Sequence, residues 1–490
     1  MDNLYKKLRD YSRSDYYGFH MPGHKRQQIT GAEKLPYEID ITEIEGFDDL
    51  HHAEGILRDA QERAARVYHA DETHFLVNGS TVGILSAILG TTEKGDSILV
   101  ARNCHKSVYH AIYLNELDPV YLYPKFDTEQ GLSTEIDAAD VQKALEEHPK
   151  IRAVMIVSPT YDGVVSDIEK IAEIVHAKGC PLIVDEAHGA HFGFDPYFPK
   201  SANIYGADLV INSLHKTLPA LTQTALLHVN GDMVKRRKVK QYLDMLQTSS
   251  PSYLLMASID ACIGMLEETL ETHSDARSDY KYKNKNIFSE YANRIEALRK
   301  DLKRLKYLKI IQTDNTDRYD RSKFVISVKH APMSSHELYE ILLHRYHLQM
   351  EMLAGTYVLA MTTVGDTQEG LDRLRDALLE IDKEIDTKQG RPAAIETDLP
   401  LSGRQPALEK VWTIAEAVNR RDKIQKRSFE DSIGCISVEY AYLYPPGSPL
   451  IVPGERITKE AVEVLHWNQE HDFSIEGLQS EDGIEVWIDG

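Results

Sequence analysis

Between about residues 70 and 230, short apolar runs alternate with stretches whose apolar side chains recur once per helical turn. The run at 73–77 predicts a strand, Asn78-Gly79-Ser80 a turn, and 81–89 a helix. Further strands are expected at 97–101, 120–123 and 153–158. The clearest unit starts at Ser166-Asp167, which suit a helix N-cap. Ile168, Ile171, Ile174 and Val175 then form one apolar face, and Gly179 stops the helix. Buried strands follow at 181–185 and 208–212. Strands alternating with helices predict an α/β fold with a central, mostly parallel sheet covered on both faces. Ligands of such sheets gather at the carboxyl ends of the strands.

The pattern changes beyond 230. Residues 230–305 are charged and helical. A strand at 324–328, a helix at 335–345, a strand near 357–363 and a helix to about 385 predict a separate α+β lobe. A terminal lobe carries apolar strands at 434–444 and 449–452. The expected division is an N-terminal segment (1–70) packed on a large domain (71–275), a small α+β domain (276–386), a linker (387–400) and a C-terminal α+β domain (401–490). No internal repeat or low-complexity segment interrupts this plan.

Composition narrows the functions. With 490 residues, 42% of them hydrophobic, the chain can bury one large core and smaller ones. A formal charge of −21 argues against a nucleic-acid partner, which requires a basic face. Cys104, Cys180, Cys262 and Cys435 are scattered and form no CxxC pair, as expected of reduced thiols in the cytoplasm. The first twenty residues lack the apolar core of a signal peptide, and no apolar run has the length of a membrane span.

Three features carry candidate chemistry. Asp185 ends the apolar run of Val184-Asp185-Glu186-Ala187-His188-Gly189, where a carboxylate can pair with a protonated ring nitrogen. Lys216, in Ser213-Leu214-His215-Lys216-Thr217, follows the next strand. Desolvation and a neighbouring histidine would lower its pKa and make it a candidate Schiff-base amine. Asn78-Gly79-Ser80-Thr81 opens a helix with backbone amides and two hydroxyls that suit a phosphate. A phosphate cup, a ring-nitrogen carboxylate and a lysine, in that chain order, are what a pyridoxal 5′-phosphate site requires. Taken singly, each is more often an ordinary helix start, a turn former or a surface lysine.

The chain resembles the Orn/Lys/Arg decarboxylases of the aspartate aminotransferase fold (fold type I). The resemblance runs almost end to end, through Phe19-His20-Met21-Pro22-Gly23-His24-Lys25, Asp48-Asp49-Leu50-His51 and Arg102-Asn103-Cys104-His105. It continues in Ser158-Pro159-Thr160-Tyr161-Asp162-Gly163, the DEAHGAH run from Asp185, the SLHKT run, Tyr444-Pro445-Pro446-Gly447 and Val452-Pro453-Gly454-Glu455. It implies that Lys216 binds the cofactor covalently, Asp185 pairs with its ring nitrogen, and His105 and Ala187 lie on the two faces of the ring. Ser80, Thr81, Ser213 and His215 would hold the phosphate, with Gly79 and His188 also in contact with the cofactor. Glu351 and Tyr444 would face the substrate. Cys435 and Ser448 depart from the family pattern, in the part that bears on substrate identity.

The implied activity is decarboxylation of a basic amino acid, with arginine favoured over lysine or ornithine. The architecture resembles the short, biosynthetic form, which implies a role in polyamine formation and a homodimer or higher homo-oligomer. An aminotransferase or aldolase-like reaction on the same fold, or a catalytically degenerate regulatory homologue, stays open. A DEAH-type ATPase is rejected, because the nearest phosphate-loop match puts Asp96 where a lysine is needed. His188, His191, His51 and His52 do not form a metal pattern, since such pairs arise readily among 21 histidines.

Overall fold

The structure, a computed structural model, describes residues 15, 17–19, 43, 47–271, 286–312, 316–387, 405–420, 423–444 and 447–488. Residues 20–25 of the Phe19–Lys25 motif and 388–400 of the expected linker lie outside the described residues.

Seven strands form the central sheet: β1 (Glu72–Leu76), β2 (Ser97–Ala101), β3 (Asp118–Leu122), β4 (Ile151–Val157), β5 (Leu182–Asp185), β6 (Leu209–Asn212) and β7 (Ala225–Val229). Their order across the sheet is β1-β7-β6-β5-β4-β2-β3. All neighbours from β6 to β3 are parallel, while β7 runs antiparallel to both β6 and β1. Ile183, Val184, Val210 and Ile211 are wholly buried, as continuous apolar runs in a two-sided sheet must be.

The expected α/β units fold as the periodicity predicts. Helix α1 (Gly79–Thr91) begins two residues earlier than expected, at Gly79 with φ +74°. Helix α2 (Lys106–Leu114) follows β2. Helix α3 (Ile168–Ala177) is capped by Asp167, which accepts from the Lys170 amide, and Gly179 turns the chain away at φ +70°. Strand β7 is not among the expected strands. Its run, Ala-Leu-Leu-His-Val, lacks β-branched enrichment, and short apolar runs do not separate strand from helix by period. Its buried His228 is accommodated by Thr73, Nδ1 to Oγ1 at 2.7 Å.

A second sheet has the order β8 (Lys309–Ile310), β9 (Lys323–Ser327), β11 (Tyr357–Met361), β10 (Met352–Ala354), all antiparallel. Helix α4 (Ser335–His344) covers it, starting from a capping box in which Ser334 and Glu337 satisfy each other's backbone amides.

The terminal part builds a five-stranded and a three-stranded sheet beside helix α5 (Lys459–Glu470). The single strand expected at 434–444 is instead two, Ile436–Ser437 and Ala441–Tyr444, in different sheets. Ser437 is the reason for the break: its hydroxyl donates to the Glu439 carbonyl at 2.7 Å and turns the chain between the sheets. Ile414 and Val452 reach into the apolar core of the central sheet, which fixes the terminal part against it.

Candidate active site

The carboxyl ends of β2, β4, β5 and β6 meet at one cavity, which the second sheet and the terminal part wall in. Chain order reverses between β2 and β4, the place where open α/β sheets bind ligands. The cavity is lined from the central sheet by Ser80, His105, Asp185, Ala187, His188 and Lys216, from the second sheet by Ala354 and Tyr357, and from the terminal part by Leu443, Ser448, Trp467, Asn468 and Phe473.

Lys216 sits one turn beyond the end of β6, its Nζ 3.0 Å from His188 Nε2. Desolvation lowers the Lys216 pKa against the opposing charges of Asp185 and Glu351, and buried Lys323 lowers it further. Lys323 is held by Asp320 at 2.7 Å, and Asp320 also meets His191 at 3.1 Å, so a buried charged cluster lies close behind the pocket. His188 is pushed well below its ordinary value by burial and then by Lys216, which keeps its ring neutral.

Asp185 ends β5 with its Oδ1 accepting from the Ala187 amide at 3.1 Å. Burial raises its pKa, and the charge of Lys216 opposes that rise. The adjacent Glu186 points away, accepting from Ser201, Ala202 and Asn212 at 2.7–3.1 Å, which pins the ends of β5 and β6 together. His105 caps α2, with Nδ1 2.8 Å from Ser107 Oγ and its ring open to the cavity. Its pKa falls to about 4 through desolvation, then through the charges of Lys216 and Lys106.

The α1 start completes the group. Ser213 Oγ donates to Ser80 Oγ at 2.9 Å, joining the β6 end to the helix. Asn78 makes no side-chain cap, and a Cβ on Gly79 would meet nothing within 4 Å, so the helix amides open onto free space. Thr81 is exposed and outside the cavity lining, and His215 bonds through Nδ1 to the Thr224 carbonyl at 2.9 Å. Glu351 accepts from the Tyr161 hydroxyl. Tyr444 ends a strand, but its side chain lies outside the described residues.

Several lining residues are not marked by the sequence pattern. Tyr161 packs on His188 with ring centroids 4.3 Å apart, and Asp162 accepts from Tyr357 at 2.5 Å. The SPTYDG run contains both Tyr161 and Asp162 without giving either a role. Trp467 and Asn468 lie on α5, where an amphipathic helix disguises cavity residues as core. Among the described residues, no group of His, Cys, Asp or Glu is placed to hold a metal, and no helix is long and apolar enough to cross a membrane.

The residues present fit pyridoxal phosphate. A half-buried lysine, a buried carboxylate and an uncapped helix start surround one cavity. His188 Nδ1 and Asn103 Oδ1 are buried there without hydrogen-bond partners. Fold and site together define a pyridoxal-phosphate enzyme of the aspartate aminotransferase fold.

Comparison with known proteins narrows the class. Residues 2–342 match the Orn/Lys/Arg decarboxylase major domain, and residues 404–486 match the Orn/Lys/Arg decarboxylase C-terminal domain. The chain is 31% identical over 485 residues to arginine decarboxylase of Bacillus subtilis, covering 97% of this chain and 95% of that one. It is 36% identical over 470 residues to the uncharacterized protein YaaO of the same organism, covering 94% and 93%. The lysine decarboxylase LdcF of Francisella novicida shares the fold with a TM-score of 0.78 at 19% identity, over 99% of this chain and 80% of that one. The chain belongs to the Orn/Lys/Arg decarboxylase family and is a pyridoxal-phosphate-dependent decarboxylase.

Proposed function

We propose that this enzyme converts arginine to agmatine and carbon dioxide. One observation carries the choice of substrate. In sequence, relatives named arginine decarboxylase align over 92–97% of this chain, whereas the lysine decarboxylases of Pseudomonas aeruginosa and Escherichia coli align over 54% of it. We further propose that the product feeds polyamine formation in the cytoplasm, that the enzyme is a homodimer or larger homo-oligomer, and that the domains divide as expected from the sequence.

When bound, pyridoxal phosphate supplies the electron sink that accepts the bonding pair as carbon dioxide leaves. Lys216 carries the cofactor through Nζ. Asp185 would pair with the ring nitrogen and hold a proton there, and its buried setting would strengthen that pairing. His105, neutral at working pH, and Ala187 would hold the ring between them. Ser80, Thr81, Ser213 and His215 would hold the phosphate, with Gly79 beside them at the helix start. Lys216 Nζ and His188 Nε2, 3.0 Å apart, are placed to pass a proton to the substrate α-carbon. Glu351 would face the substrate side chain.

The test is incubation of the purified holoenzyme with arginine, lysine and ornithine, with and without 2-oxoglutarate. Agmatine and carbon dioxide are expected in equal amounts without the keto acid. Faster formation of cadaverine or putrescine would reassign the substrate, and glutamate formation dependent on 2-oxoglutarate would refute decarboxylation.

A further inference from the structure

Two consecutive residues of the loop after β4 cross to the second sheet in reciprocal fashion. Tyr161 donates its hydroxyl to the Glu351 carboxylate, while the Asp162 carboxylate accepts from the Tyr357 hydroxyl at 2.5 Å. Asp162 and Tyr357 both line the active-site cavity.

Asp162 is in an unusual position for a carboxylate. It is 9% exposed, and among the described residues no cation is in ion-pair contact with it. The cationic charge that acts on it comes from Lys323, which is already bound by Asp320. A buried carboxylate with only neutral donors, the Tyr357 hydroxyl and its own amide, and no counter-ion is costly unless something else supplies the charge. Among the described residues lining the cavity, only Asp162 and Asp185 are acidic. Asp185 is on the floor, at the end of β5. Asp162 is on the side wall, where the central and second sheets meet.

We infer that Asp162 is a substrate-binding residue that pairs with the distal cation of the basic amino acid and selects for it. The inference rests on the proposed decarboxylation of a basic amino acid and adds a second carboxylate to the one expected from Glu351. Tyr357 orients the Asp162 carboxylate, and the Tyr161–Glu351 bond ties the same loop down one residue earlier. Burial raises the Asp162 pKa to about 6, against hydrogen bonds from Tyr357 and its own amide and the charge of Lys323. The group is therefore anionic at neutral pH and available to a cation. Burial raises the pKa of Tyr319, a further titratable neighbour, so that its hydroxyl stays neutral.

The experiment compares wild-type and Asp162→Asn holoenzymes by calorimetric binding of agmatine and of n-hexylamine, an amine with an uncharged tail. Agmatine should bind at least about 30-fold more weakly to the variant, the loss expected when one partner of a buried charge pair is removed. Hexylamine should bind equally to both. Equal weakening of both amines, or no change in either, would overturn the inference and leave Asp162 as a contact between the sheets. Carbon dioxide release from arginine by the same wild-type preparation tests the proposed reaction separately, since the binding comparison does not depend on turnover.

Discussion

Arg102 and Glu455 form an ion pair almost completely shielded from water, Nη2 to Oε2 at 2.9 Å with both side chains 1% exposed. Arg102 leaves the carboxyl end of β2, three residues before His105, and Glu455 belongs to the terminal part. The guanidinium also donates to the Leu450 carbonyl and to Tyr109 Oη, each at 3.1 Å, and lies over the Tyr121 ring. Glu455 Oε2 accepts in turn from the Val452 amide at 2.8 Å. The pair thus anchors the segment that brings Ser448 to the cavity wall.

Removing one member should cost much more than replacing both. Glu455→Ala leaves a buried guanidinium without its counter-charge, a loss of about 3–5 kcal/mol. Arg102→Met with Glu455→Leu should recover most of it. Urea unfolding of the two single variants and the double variant measures the coupling, and hydrogen exchange over residues 448–452 should quicken in Glu455→Ala. Additive effects with unchanged exchange would mean that the pair does not hold the terminal part in place.

Lys216→Ala should abolish the visible absorbance of the bound cofactor and nearly all turnover. Borohydride reduction of the wild type, followed by peptide mass analysis, should place the added cofactor mass on the peptide containing Lys216. Mass found on another lysine would transfer the role to that residue.

Much of this arrangement is legible in the amino-acid sequence. Strands β5 and β6 are continuous Val, Ile and Leu runs because both faces are buried, and Asp185 and Lys216 follow their ends. Position at the strand ends, taken together with the phosphate cup upstream, therefore marks these two residues as site candidates. Strand β7 is harder to read because Leu-Leu-His carries no strand period. The break at 438–440 depends on one serine hydroxyl and a carbonyl, a choice that hydrophobic pattern does not register. Asp162 and Tyr357 are 195 positions apart, and their contact exists only once the two sheets are docked. Trp467 and Asn468 face the cavity from a helix whose pattern is that of an ordinary core helix. Pattern thus reveals what one element dictates, and contacts between elements need the fold.

Asp185→Asn separates cofactor binding from cofactor electronics. The amide keeps the size of the carboxylate and its acceptor for the Ala187 amide, but it loses the negative charge. The variant should retain bound cofactor while kcat falls about 10²–10³-fold, the scale of removing one preorganised charge-stabilising group. Agmatine binding should change little, in contrast to Asp162→Asn. A variant with unaltered kcat would remove Asp185 from the proposed chemistry.

Asp48 offers a test at the edge of the fold. Its backbone is left-handed at φ +69°, a conformation that Asn also tolerates, so Asp48→Asn isolates the charge. Its carboxylate accepts from the amides of Asp49, Glu54, Gly55 and Leu57 at 2.8–3.0 Å, at the start of the helix Ile56–Val67. Burial opposes ionisation, but these amides outweigh it and bring the pKa down to about 2 from 3.8. A carboxyl with a depressed folded-state pKa stabilises the fold fully above its unfolded value, and the contribution disappears as pH falls through the folded value. Asp48→Asn should therefore cost about 0.3–1 kcal/mol near pH 7, the range for a negative charge lost from a helix start. That deficit should shrink between pH 3.8 and about 2, where the wild-type carboxylate also takes up its proton. Urea unfolding of both proteins across this interval provides the measurement, and a deficit that stays constant to the acid end would show that the charge contributes nothing.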